Sequence, residues 1–279
     1  MCCEPGDVAI FSPALRSGSV KYLLIEYCCE PNSQLGLSAP AGALVCRCTK
    51  ASDCCSEPCC EQLETLVKLA QACAVPICCW CSIPCTGGST WQIVNVARLG
   101  VTDKLRGHWA LFRRFWRNFE RLARLVTSGG GVVALEWPNR CAYWKERAVL
   151  KLVKDFSKAI VQGCEYGLKP SHPPAGKEDH LLYKQWRVVS SSPLLASSLE
   201  RRCTGDHTHL VIENVNTTGS ANYPPALAEA IHKAVELCFT PSGTEKKAAP
   251  GMCAVGPPGP RHLAKKEHSK VKSSPSGSW

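Results

Sequence analysis

The stretch D-K-L-R-G-H-W-A-L-F-R-R-F-W-R-N-F-E-R-L-A-R-L-V-T-S-G-G-G-V-V-A-L-E, residues 103–136, holds two unlike periodicities on either side of a glycine turn. Leu105, Trp109, Phe112, Trp116, Phe119, Ala123 and Val126 recur at alternating steps of four and three, which predicts a helix over 103–127 with one apolar face. Gly129-Gly130-Gly131 ends it. Val132-Val-Ala-Leu-Glu136 then shows no alternation at all. It is apolar up to an acid at its tip, the pattern of a strand buried on both faces.

The same pairing repeats along the chain. Val20–Cys29 and Ala43–Cys48 read as strands, the first carrying Glu26 near its end and running into a Pro/Asn/Ser/Gly turn. Leu63, Leu66, Val67 and Ala70 share one face of a helix predicted over 57–72, and a strand over 75–82 follows. Further on, the pattern predicts a helix over 145–161, a strand over 186–190 and an amphipathic helix over 224–238. Near-continuously apolar strands alternating with helices argue for an α/β fold, a doubly wound, mostly parallel sheet in one main domain spanning 20–239. Residues 1–19 read as an irregular N-terminal segment, and the basic Pro/Gly/Ser-rich tail 240–279 as disordered.

Composition narrows the classes. With 279 residues, 45% hydrophobic and 20% charged, the chain can bury a sizeable core. Fifteen of its 20 cysteines precede residue 86, mostly as adjacent pairs such as Cys28-Cys29, Cys54-Cys55, Cys59-Cys60 and Cys78-Cys79. Neighbours on a strand point to opposite faces, so such pairs grip a single ion poorly and read as thiols packed like small hydrophobes. No basic-then-apolar leader is visible, so an intracellular location, nuclear or cytoplasmic, with reduced thiols is expected. The uncharged run 69–97 is broken by Pro76, Pro84, Gly87 and Gly88, and no membrane span is expected.

The formal net charge of +10 is concentrated in residues 103–127 and 240–279, each with seven Lys/Arg against two acids. That distribution suits a polyanion, so nucleic acid is the expected partner. Arg106, Arg113, Arg117, Arg121 and Arg124 form a stripe beside the apolar face of the first helix, either a solvated flank or a set of phosphate contacts.

In a doubly wound sheet, ligands sit at the carboxyl ends of the strands. This gathers Glu26-Tyr-Cys-Cys29, Cys81-Ser-Ile-Pro-Cys85 and Glu136-Trp-Pro138 into one crevice. A thiol after a proline beside a carboxylate could carry out covalent catalysis on an electrophilic ring, the acid protonating a ring nitrogen. On these residues the chain resembles the DNA cytosine-5 methyltransferases. Ser82-Ile-Pro-Cys85-Thr-Gly-Gly-Ser89 looks like that family's Pro-Cys loop, and Leu135-Glu-Trp-Pro138 stands where its Glu-Asn-Val motif does. Glu165-Tyr-Gly-Leu168, Lys184-Gln-Trp-Arg187-Val-Val and the segment from Gly219 to Ile231 follow in the family's order, so the likeness spans about 20–238.

The resemblance implies a Rossmann-like methyltransferase domain that uses S-adenosylmethionine, active or decayed. It implies catalytic roles for Cys85, Glu136 and Arg187, and a cofactor site at Glu26, Cys28, Gly36, Asp53 and Pro84. Four features depart from the family's pattern. No acid directly follows the second strand, Asp53 being the nearest, and Trp137-Pro138 follows Glu136 in place of Asn-Val. The loop after Glu26 carries a single glycine, Gly36, and the interval 188–218 leaves little room for a target-recognition domain. A literal Glu213-Asn-Val215 lies out of order, which favours Glu136 as the acid.

Cys203-Thr-Gly-Asp-His207-Thr-His209 is a second candidate site. With a fourth ligand from Cys164 or Cys238, Cys203, His207 and His209 could hold zinc; otherwise the segment is a polar turn. Two further readings stay open beside the methyltransferase, a non-catalytic nucleic-acid-binding protein of mobile-element origin and a cysteine-rich zinc-binding protein.

Overall fold

The structure, a computed structural model, describes residues 2–3, 8–100, 102–212 and 220–240. The expected tail therefore lies outside the described residues, as does Glu213. In chain order the elements are β1 (Cys2–Cys3), α1 (Val8–Arg16), β2 (Tyr22–Tyr27), α2 (Gln34–Leu37), β3 (Ala43–Cys48) and α3 (Glu57–Ala72). They continue as β4 (Ile77–Cys81), α4 (Trp91–Leu99), α5 (Thr102–Ser128), β5 (Val132–Pro138), α6 (Arg147–Leu152) and β6 (Ser157–Gln162). The last are β7 (Leu181–Leu182), β8 (Gln185–Ser190), α7 (Pro193–Leu199), β9 (His209–Leu210) and α8 (Pro225–Phe239).

The main sheet has the order β1-β3-β2-β4-β5-β8-β6, with β1 only a two-residue edge. β3, β2, β4 and β5 are parallel, and β8 alone runs antiparallel, between β5 and β6. A separate parallel ribbon joins β7 to β9. The fold is thus mixed α/β on a mostly parallel sheet.

Alternation across the strands sorts the core into two layers. Leu23, Ile25 and Tyr27 of β2 and Cys79 and Cys81 of β4 pack with α1, α3 and α5. Tyr22, Leu24, Cys78 and Trp80 face the other way, toward α2, α7 and α8. Because both faces are covered, every residue of β2 and β4 is buried, which is why neither shows a polar alternation.

Helix α5 buries Phe112, Trp116, Phe119, Leu122, Ala123 and Val126, whereas Leu105 and Trp109 stay half-buried where its first turns leave the core. Each fully buried side chain of this size contributes roughly 1.5–3 kcal/mol of transfer free energy. The glycine turn after α5 is obligatory for two reasons. Gly130 has φ +78°, and a Cβ on Gly131 would lie 2.8 Å from the carbonyl oxygen of Ile77.

Two expectations are corrected. Residues 1–19 are not irregular throughout, because Val8–Arg16 form a helix that buries Phe11 and Leu15 one turn apart. Pro5, Gly6 and Pro13 hide this short amphipathic stripe in the sequence. The helix expected over 145–161 is helical only from Arg147 to Leu152. Ser157–Gln162 instead pairs antiparallel with β8, and the β-branched Ile160-Val161 is buried in that ladder. Tertiary pairing outweighs a weak local helix preference there. Among the described residues no helix is long and apolar enough to cross a membrane.

Candidate functional site

From β2 the chain crosses to β3 on one side and returns to β4 on the other, so the connections reverse direction between β2 and β4. Adjacent loops splay apart at such a point and leave a crevice at the carboxyl edge. A cavity of about 670 Å³ lies there, lined by Glu26 of β2, the loops that follow β2, β3 and β4, the ends of β5 and β8, one face of α5 and the segment before α8.

On its β2–β3 side sits Glu26, the penultimate residue of β2 and only 3% exposed. The Ser33 hydroxyl donates to its carboxylate and also accepts the backbone N–H of Gly36 at 3.3 Å. Burial is the main influence on Glu26 and pushes its pKa up to about 7, against the hydrogen bond from Ser33. Cys28 and Asp53 line the same side, and both hold left-handed backbone conformations, with φ 65° and 43°. Pro84 lines the cavity as well. Gly36 does not; its N–H is capped by Ser33, the serine that holds Glu26.

On the other side Cys85, Glu136, Lys184 and Tyr223 converge from four separate elements. The Tyr223 hydroxyl donates to Glu136 Oε2 at 2.6 Å and accepts from Trp80 Nε1 at 3.1 Å. Its one proton being used, the 2.9 Å contact with Ser82 makes Ser82 the donor. Burial raises Glu136 to about 7, opposed by the Tyr223 hydrogen bond and by the Lys184 ammonium. Lys184 Nζ donates to the Ser220 carbonyl and lies 5.1 Å from the Trp186 ring centre. Burial pushes the Lys184 pKa down, and Glu136 and Cys85 pull it back up. Burial also raises the Cys85 thiol; the charge of Glu136 adds to this and Lys184 opposes it.

Cys85 opens a short turn, Cys85–Gly88, that packs tightly against the loop after β5. A Cβ on Gly88 would lie 2.6 Å from Cys141 Sγ, and the Gly87 N–H donates to Tyr143 Oη at 3.1 Å. The four cysteines of 78–85 thus have separate fates. Cys78 faces one core layer, Cys79 and Cys81 the other, and only Cys85 reaches the cavity. All cysteines with described side chains are free thiols.

Arg187 is not brought to this site. Its Nε donates to Asn139 Oδ1 at 2.9 Å and its Nη2 to the Asn139 carbonyl at 3.0 Å, and the guanidinium covers the Trp144 ring. It braces the loop after β5 and does not line the cavity. Lys184 and Tyr223, neither singled out by the sequence, take the polar positions. A lone lysine among Leu181-Leu182-Tyr183 and Trp186 was the available signal for one, and a tyrosine before Pro224-Pro225 for the other.

The arginine stripe is largely engaged within the domain. Arg121 pairs with Glu57 at 2.5 Å and with Glu64, Arg124 with Glu120 at 2.5 Å, Arg106 with Asp103, and Arg113 with Glu146 at 3.8 Å. Arg117 is exposed, and Arg114, outside the stripe, lines the cavity.

Apart from the cavity, Cys164, Cys203, His207 and His209 form a group that could hold a metal ion, their ligand atoms all within 4.8 Å of one another. Cys238, the other candidate for fourth ligand, instead contacts Ser192 Oγ at 3.2 Å and the Ala234 carbonyl at 3.1 Å. No protein-family model, curated protein or solved structure matches this chain.

Proposed function

We propose that the cavity is the active site of an S-adenosylmethionine-dependent methyltransferase acting on cytosine in nucleic acid, built on a doubly wound, Rossmann-like domain. The observation that carries this reading is the convergence of a thiol, Cys85, and a buried acid, Glu136, in one cavity with the carboxyl-bearing loop of Glu26. Its volume of about 670 Å³ suits a small-molecule site. The carboxyl groups of Glu26 and Asp53 and the Ser33 hydroxyl fit the ribose and amine of an adenosyl amino acid, with Cys28 and Pro84 as walls. Bound there, the cofactor supplies an electrophilic methyl group.

The other half of the cavity suits the base. Glu136, with a pKa of about 7, is close to half-protonated at neutral pH and can donate to a ring nitrogen. Tyr223 fixes the orientation of its carboxyl group. Cys85 Sγ, once deprotonated, can add to the ring carbon as Glu136 protonates the ring nitrogen, with the Lys184 ammonium offsetting the negative charge. Once the neighbouring carbon has gained the methyl group, loss of its proton to a base would expel the thiolate and restore the ring. A base reaches this depth only when flipped from a duplex or taken from a single strand.

Titration of the reduced protein with S-adenosylmethionine by calorimetry tests the first half; one-to-one binding lost in Glu26→Ala is expected. Transfer of labelled methyl to cytosine-containing DNA and RNA, abolished in Cys85→Ser with cofactor binding retained, tests the second. Absence of saturable binding at millimolar cofactor overturns the proposal.

A further inference from the structure

Outside the cavity, one group of side chains has no role in the reading above. Cys164 lies in the turn Gly163–Tyr166 that follows β6, and Cys203, His207 and His209 come from the segment that leads into β9. Cys203 Sγ lies 3.5 Å from His207 Nε2 and 3.6 Å from His209 Nε2. The two imidazole planes cross at 82° with centroids 4.6 Å apart, so their nitrogens approach the sulfur from different directions.

We propose that Cys164, Cys203, His207 and His209 form a closed, four-coordinate structural zinc site. Zinc–sulfur bonds of about 2.3 Å and zinc–nitrogen bonds of about 2.0–2.1 Å at tetrahedral angles give sulfur–nitrogen edges of about 3.5–3.6 Å. Both edges at Cys203 have that length. Hydrogen bonding would require the thiol to donate to His207 Nε2 and to accept from a protonated His209 Nε2, whereas a zinc ion would use the lone pairs of both nitrogens.

The surroundings set the tautomer that a ligand needs. His207 Nδ1 lies 2.7 Å from Asp206 Oδ1, so Nδ1 carries the proton and Nε2 presents its lone pair toward Cys203. Thr204 Oγ1 donates to the same carboxylate oxygen at 2.8 Å. The His209 ring is held edge-on by Tyr183, with centroids 5.0 Å apart. The backbone is fixed too, since Cys203 N donates to Gln162 Oε1 at 2.6 Å and Thr204 N to Glu165 Oε1 at 3.0 Å. These bonds place a donor set drawn from two segments on one end of β6. All four ligands come from the protein, which is the composition of a structural rather than a catalytic zinc site.

Zinc would tie the β7–β9 ribbon to the end of β6. Because β7 ends at Leu182, the ion would also steady the backbone that delivers Lys184 to the cavity.

Zinc content of the full chain, purified in reducing buffer and reconstituted with zinc, is the first measurement. One equivalent is expected, and cobalt substitution should give tetrahedral d–d bands with thiolate charge transfer. Cys203→Ser and His209→Asn should lose the ion, and Cys238→Ser should keep it. Asp206→Asn, which touches no metal and leaves the four ligands in place, should weaken zinc affinity by about 10–100-fold. Less than a tenth of an equivalent in the reconstituted wild-type chain overturns the proposal whether or not any variant folds. Loss of zinc in Cys238→Ser overturns the ligand set. A Cys164–Cys203 disulfide persisting in the reduced protein also overturns it.

Discussion

Replacing Glu136 by Gln should stabilise the protein in a pH-dependent way. Burial raises the acid from the ordinary 4.5 to about 7, so between those values the folded chain holds a proton that the unfolded chain has released. Stability therefore falls as pH rises through that window. Once both states are ionised, that rise from 4.5 to about 7 costs on the order of 3 kcal/mol. At pH 5 the cost is below about 1 kcal/mol, because that pH lies only about half a unit above the unfolded value of 4.5, although most of the acid is then ionised in the unfolded chain. Glutamine keeps an oxygen to accept the Tyr223 hydroxyl and carries no charge to bury. Urea denaturation in reducing buffer should thus show Glu136→Gln gaining about 2–3 kcal/mol over wild type between pH 5 and pH 8.5. Lys184 shifts in the opposite direction, and repeating the pair of curves in Lys184→Met separates the two. A difference between variant and wild type that does not change with pH, or that shrinks as pH rises, would refute the reasoning.

Three other outcomes follow from the packing and the charges. Timed alkylation with mass-spectrometric mapping should label Cys85 well before Cys78, Cys79 and Cys81, each 0% exposed; equal labelling under native conditions would contradict the burial. Phe119→Ala should destabilise by about 3–5 kcal/mol in chemical denaturation, since the ring is fully buried against Tyr27 and Trp116; a loss under about 1 kcal/mol would show that α5 is not held by this face. In single-stranded DNA binding, Arg114→Ala and Arg117→Ala should each flatten the salt slope by about 0.7, whereas Arg121→Ala, already paired with Glu57 and Glu64, should leave it unchanged.

How far the sequence discloses this molecule depends on which force decides each element. Where burial on one stripe or on two faces decides, the reading is close. Helix α3 has the expected bounds, β3 likewise, and α5 differs by a residue at each end. Where a distant partner decides, it fails. Residues 157–162 become a strand only because β8 runs antiparallel beside them, and local periodicity carries no trace of that pairing. The site divides in the same way. Glu26, Cys85 and Glu136 are legible because each lies near the end of an apolar strand or just after one, and strand ends meet at the carboxyl edge. Lys184 and Tyr223 come from segments whose approach depends on the ribbon and on the turn before α8. Arg187 misleads because its place in β8, opposite Trp137, turns its guanidinium to Asn139 and not to the cavity.

The charges in the cavity constrain one another, and that coupling is itself open to experiment. Burial raises both Glu136 and Cys85, and the carboxylate of Glu136 adds to the rise at Cys85. A thiolate at Cys85 therefore forms more readily when Glu136 carries its proton. Protonated Glu136 is also the state that can donate to a ring nitrogen, so one protonation state serves both roles. Lys184 is the cation that offsets negative charge at either position. Lys184→Met should raise the pKa of both groups, and each unit of rise at Cys85 lowers its thiolate fraction about tenfold at neutral pH. The pH profile of Cys85 alkylation should accordingly move to higher pH in Lys184→Met. In Glu136→Gln it should move to lower pH, because the neighbouring negative charge is gone. Unmoved profiles in both variants would mean that the three groups titrate independently, and a proton-donating role for Glu136 would then lose its link to the nucleophile.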